Sequence, residues 1–141
     1  MNKQTYISVV IPCYRCSKPI GKTIESVWTQ TLRPLEVLLV EDGKDEDPLT
    51  SNVLNALEVK YPKEWLKIIR LDQNKGPSFA RNIGWENSRG DYISFLDSDD
   101  LWFPEKIETI TKIINENEKI DLIGHAFSLE QLDVTTRFSD N

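Results

Sequence analysis

Histidine and cysteine are scarce in this sequence, and their scarcity excludes the common zinc sites. One histidine, His125, and two cysteines, Cys13 and Cys16, cannot supply the four ligands of a structural zinc. Glycine is also sparse. None of the six glycines builds a G-x-G-x-x-G after the first strand or a G-x-x-x-x-G-K, so a dinucleotide fold and a P-loop are set aside. Long apolar runs are missing: no segment approaches the roughly 20 residues that span a bilayer. Met1 to Thr5 lead directly into a strand without the apolar core of a signal peptide, so a cytoplasmic protein is expected, peripheral at most to the inner face of a membrane. There is no surplus of positive charge. Seventeen Lys and Arg stand against 23 Asp and Glu, a net charge of −6, which argues against a nucleic-acid partner.

What remains is an ordinary soluble composition, 39% hydrophobic and 28% charged over 141 residues, enough for a single buried core. Apolar, β-branched runs alternate with segments of helical spacing. Strands are expected over Ile7–Ile11, Leu35–Val40, Leu66–Leu71, Tyr92–Leu96 and Asp121–Phe127. Helices are marked by Ile20, Ile24, Val27 and Trp28, then Leu49, Val53 and Leu57, then Phe79, Ala80 and Ile83, then Ile107, Ile110 and Ile114. Pro19, Pro48, Pro77 and Pro104 stand where these helices begin, and Gly90 is expected to end the third. The pattern implies an α/β fold, a mostly parallel sheet with helices on both faces. It reads as one domain over 1–141, with a core over 1–128 and a tail over 129–141.

In such a sheet ligands bind beyond the carboxyl ends of the strands. Three of those ends carry unusual chemistry: Pro12-Cys13-Tyr14-Arg15, Glu41-Asp42-Gly43 and Asp97-Ser98-Asp99-Asp100. Asp97 and Asp99 are two apart on extended chain and point the same way. They form either a solvated acidic loop or half of a site for Mg²⁺ or Mn²⁺, which take one or two carboxylates together with substrate phosphates. Asp42 is either a turn residue before Gly43 or an acceptor for a base or ribose. Tyr14 is a loop aromatic or a ring on which a base stacks. Arg81 pairs with an acid or serves an anionic ligand. Cys13 and Cys16 form a C-x-x-C, read as two loop thiols in a reducing compartment rather than a redox centre. A phospho-acceptor domain needs an acid pair after strand one, where Pro12-Cys13-Tyr14 stands instead.

Taken in order, five segments are more specific than any one of them. They are Ser8-Val-Val-Ile-Pro-Cys-Tyr14, Ser26-Val-Trp-Thr-Gln-Thr31, Glu36-Val-Leu-Leu-Val-Glu-Asp-Gly43, Asn74-Lys-Gly-Pro-Ser-Phe-Ala-Arg-Asn-Ile-Gly84 and Gly90-Asp-Tyr-Ile-Ser-Phe-Leu-Asp-Ser-Asp-Asp100. Together they resemble family 2 glycosyltransferases of the GT-A fold, specifically the Rossmann-like, nucleotide-sugar-binding half. The resemblance implies an inverting, metal-dependent transfer of a sugar from a nucleotide-diphosphate donor, such as a UDP-sugar, to a glycan or lipid-linked acceptor. It implies that Pro12 and Tyr14 line the nucleoside pocket and that Asp42 accepts a hydrogen bond from the base. It places Asp97 at the ribose and sugar, Arg81 on the diphosphate side, and Asp99, of the D-x-D, on Mn²⁺ or Mg²⁺. Where the family often has Asn and Ser, this chain has Arg15 and Lys44. The general base is expected in an acceptor-binding half beyond this chain, so that alone it would be a binding module without transfer. The tail, with Leu132, Val134 and Phe138, is a candidate homodimer edge.

Overall fold

The computed structural model describes residues 4–44, 48–117 and 119–124. Four parallel strands form the sheet: β1 Ile7–Cys13, β2 Glu36–Glu41, β3 Leu66–Arg70 and β4 Tyr92–Phe95, in the order β3-β2-β1-β4. The connecting helices are α1 Ile20–Trp28, α2 Leu49–Lys60 and α3 Pro77–Glu86, with α4 Lys106–Glu116 following β4. Every residue of β1 and β2 is buried, as central strands covered on both faces must be.

Side chains alternate across a strand, so β1 and β2 feed two cores. Val9, Ile11, Val37 and Leu39 share one cluster with Ile20 and Ile24 of α1, Leu54 of α2, and Ile107 and Ile114 of α4. Helix α3 covers the other face. A Cβ at Gly84 would lie 2.3 Å from Val10 Cγ1, so glycine is what lets that helix lie so close to β1. Helices on both faces are therefore borne out. The described residues contain no helix long and apolar enough to cross a membrane.

Three expectations change. Helix α3 stops at Glu86 with Asn87 as its cap, not near Gly90. Gly90 serves a long-range approach instead, since a Cβ there would sit 2.6 Å from Ser8 N. Of the four prolines only Pro77 is inside a helix start. Pro19 and Pro48 occupy the cap positions, and Pro104 precedes the cap Glu105. No strand forms over 121–124, and the rest of the expected fifth strand lies outside the described residues. So do the tail with Leu132, Val134 and Phe138, the homodimer edge drawn from it, and His125.

Candidate functional site

The chain runs from β1 outward through β2 to β3, then returns to place β4 on the other side of β1. That reversal is where an open α/β sheet leaves a crevice at its carboxyl edge. The loops after β1 and β4 flank it.

The loop after β2 is fixed to its neighbours by backbone bonds. Asp42 N–H donates to Cys13 O at 2.7 Å, and the Asp42 carboxylate, 2% exposed, accepts from Lys75 N–H and Gly76 N–H at 2.8 Å each. Gly43 follows at φ +84°, and a Cβ there would meet Asn74 N at 2.4 Å. Only glycine fits that close, left-handed turn. The β2 and β3 loops are thus laced together, and Gly76 and Pro77 bring the amino end of α3 to the crevice. Its partial positive charge favours an anion there. Glu41, the neighbour of Asp42, faces away. It accepts from Ser51 Oγ at 3.0 Å and stands 3.3 Å from Arg70 Nε.

The acidic loop after β4 is anchored by α1, whose Thr23 hydroxyl donates to Ser98 O at 2.9 Å. Arg81, on α3, donates to Asp97 Oδ1 at 2.7 Å. Asp100 is held above the usual carboxylate range, first by burial and then by the charges of Asp99 and Asp97. Tyr14 projects from the β1 loop, 45% exposed, with the Arg15 guanidinium 5.2 Å from its ring centre.

All six residues singled out from the sequence, Pro12, Tyr14, Asp42, Arg81, Asp97 and Asp99, line one cleft of about 360 Å³. Cys13, Asn74, Gly76, Pro77 and Ser98 complete its walls. The sequence segments contain these residues but gave them no site role, although Gly76-Pro77 at a helix start was a usable signal. One reading is corrected: Cys13 and Cys16 are not free thiols but a disulfide, their Cα atoms 5.6 Å apart across the turn. Three residues of separation over a turn leave the two Cα atoms within the span a disulfide bridges.

Arg15 sits at φ +50°, a left-handed conformation that asparagine tolerates far better than arginine. Arg15→Asn is therefore expected to stabilise the fold by about 1 kcal/mol, read as a higher urea midpoint with an unchanged slope. A lower midpoint would mean that the Arg15–Tyr14 contact outweighs the backbone cost.

The donor set fits a hard cation only with help from a ligand. Among the described residues no three His, Cys, Asp or Glu are grouped to hold an ion. Asp97 is already engaged by Arg81, which leaves Asp99 as the free carboxylate on the cleft. Mg²⁺ and Mn²⁺ suit such a site, because they bind through one or two carboxylates plus substrate phosphates and water.

Comparison with known proteins extends these observations. The family model described as "Glycosyl transferase family 2" matches residues 8–138. An uncharacterised glycosyltransferase of Rickettsia felis is 39% identical over 118 residues, 82% of this chain and 18% of that protein. One from Haemophilus influenzae is 31% identical over 126 residues, 89% of this chain and 40% of that protein. The crystal structure of S. aureus TarS 1-349 in complex with UDP-GlcNAc superposes with a TM-score of 0.70 at 29% identity, over 80% of this chain and 32% of that one. The chain thus spans between 18% and 40% of the length of these proteins.

Proposed function

The chain belongs to glycosyl transferase family 2, and on that footing we propose that its cleft binds the nucleoside diphosphate of a sugar donor, a UDP-sugar, for inverting, metal-dependent transfer to a glycan or lipid-linked hydroxyl in polysaccharide synthesis. The fold is that of the GT-A glycosyltransferases. One observation carries the donor reading: six residues from the ends of β1, β2 and β4 and from α3 converge on a single cleft at the topological reversal of the sheet. The UDP-GlcNAc held by the TarS structure supports the choice of donor.

In this reading Tyr14 offers its exposed ring to the base. Each Asp42 oxygen accepts one backbone N–H and retains a second lone pair for a base N–H. Arg81 and the amino end of α3 face the diphosphate. Asp97 orients Arg81 and closes the sugar side, and Asp99 would hold the cation. When bound, the cation supplies Lewis-acid charge at the departing diphosphate. The acceptor oxygen attacks from the face opposite the leaving group, which inverts the anomeric carbon as a base takes its proton. No described residue is assigned that base. In this reading the protein would meet a lipid-linked acceptor at the cytoplasmic face.

Calorimetry tests the proposal. Asp42→Ala is expected to weaken UDP binding by about 1–3 kcal/mol, the cost of losing a charged acceptor, and to weaken inorganic pyrophosphate much less. Equal losses would confine Asp42 to lacing the loops. No UDP binding by the unaltered protein would end the donor reading.

A further inference from the structure

The Cys13–Cys16 bond has no place in sugar transfer, yet it sits in the wall of the cleft. Cys13 is the last residue of β1, paired with Glu41, and its carbonyl accepts Asp42 N–H. It belongs to the rigid sheet. Cys16 belongs to the approach to α1, where its carbonyl accepts Ile20 N–H at 3.1 Å. The disulfide ties these two bodies together across Tyr14 and Arg15 alone. Arg15 holds a left-handed backbone, which a bulky residue keeps only where its surroundings over-determine it. The bond therefore fixes the residue on which the base would stack. Both cysteines are almost wholly buried, at 0% and 2% exposed, and Cys13 lines the cleft. The sulfurs themselves pack into the core cluster with Ile20 and Ile24, so a reductant reaches them when the β1 loop opens.

Resting on the donor reading above, we infer that Cys13–Cys16 is a reversible redox modification site at which a dithiol reductant loosens Tyr14 and weakens donor binding. A thiolate of the dithiol attacks one sulfur, forms a mixed disulfide and expels the other cysteine as thiolate. The reductant's second thiol then displaces the remaining cysteine. Two electrons pass to the pair, two protons follow, and the dithiol leaves as its own disulfide; the same exchange run backwards closes the clamp. Because the donor binds the clamped form better, a bound nucleotide favours the disulfide by the same factor.

Dithiothreitol and UDP with Mn²⁺ are the probes. In protein purified without reductant, iodoacetamide should label neither cysteine until dithiothreitol is added, as read by mass spectrometry. The oxidised form should bind UDP about three- to tenfold more tightly than the reduced form, the worth of ordering one side chain beforehand. By linkage, saturating UDP should shift the equilibrium with dithiothreitol toward the disulfide by about the same three- to tenfold. In Tyr14→Ala the two redox forms should bind UDP alike. Labelling without reductant, equal UDP affinity of both forms of the unaltered chain, or a redox equilibrium indifferent to UDP each overturns the clamp and leaves the donor reading standing. UDP binding by neither form overturns both.

Discussion

Glu36→Ala is expected to cost about 2–5 kcal/mol of stability, from the buried donors it leaves unmet and the cavity it opens. Glu36 is fully buried at the start of β2. Its Oε1 accepts Ser8 Oγ at 2.9 Å and Arg89 N–H at 2.7 Å, and its Oε2 accepts Arg89 Nε at 2.8 Å and Lys67 Nζ at 3.0 Å. Ser8 Oγ in turn accepts Gly90 N–H at 2.8 Å. One carboxylate thus joins β1, β2, β3 and the turn into β4. Without it, Ser8 Oγ and Arg89 N–H lose their buried acceptor, whereas the Lys67 and Arg89 side chains, 36% and 55% exposed, can turn to water.

The same residue gives the pH dependence. Burial alone would raise the Glu36 carboxyl, but hydrogen bonds from Lys67, from the Arg89 backbone and side chain, and from Ser8 outweigh it and hold the group below its usual range. A depressed folded value means that the stabilisation is complete above the unfolded pKa and drains away as pH falls through the folded one. The gap between the unaltered protein and Glu36→Gln should therefore be widest near neutrality and narrow in acid, below a pH of about 4. Urea unfolding across that range decides it, and a gap independent of pH would remove the carboxylate's charge from the account. The network lies at the opposite edge of the sheet from the cleft, so the folded fraction should still bind UDP normally.

Much of the fold was legible because local pattern reports local burial. Apart from Ser8 and Glu36, Ile7–Ile11 and Leu35–Val40 are apolar since both faces of a central parallel strand are covered, and Ile20, Ile24 and Val27 mark the buried stripe of α1. The candidate cleft was legible because a parallel sheet sends every carboxyl end to one side, so Tyr14, Asp42 and Asp97 had to meet. Long-range polar pairing was not. Nothing near Glu36 in the chain announces Lys67 and Arg89, and nothing near Gly90 announces Ser8. Glu36 read only as one residue of an expected strand, and Gly90 only as the end of the third helix. Asn74, Gly76 and Ser98 stood in the quoted segments without a site role, because their places follow from bonds such as Thr23 to Ser98 O, made by side chains far along the chain.

Mn²⁺ is expected to tighten UDP binding by about ten- to a hundredfold, and Asp99→Ala to reduce that gain to within about twofold. The size follows from charge. A diphosphate brought beside Asp97 and Asp99 meets like charges, each worth on the order of 1–4 kcal/mol at 4 Å between bulk water and a protein surface. A cation between them converts that repulsion into attraction, and tenfold in affinity needs only about 1.4 kcal/mol of it. Asp97 is partly neutralised already by Arg81 at 2.7 Å. Among the described residues Asp99 has no such partner on the cleft, so it is the carboxylate whose removal isolates the metal's contribution. The sign of its effect should therefore reverse with conditions. In Mn²⁺, Asp99→Ala loses a ligand and binds UDP more weakly. In EDTA the same change removes a repelling charge and leaves binding equal or slightly tighter. Asp97→Ala should not reverse, because it also releases Arg81 from its anchor and disturbs the diphosphate side with or without metal. Parallel titrations of the three proteins in Mn²⁺ and in EDTA separate these outcomes. A loss from Asp99→Ala of the same factor in both media would mean that Asp99 supports the loop rather than the cation.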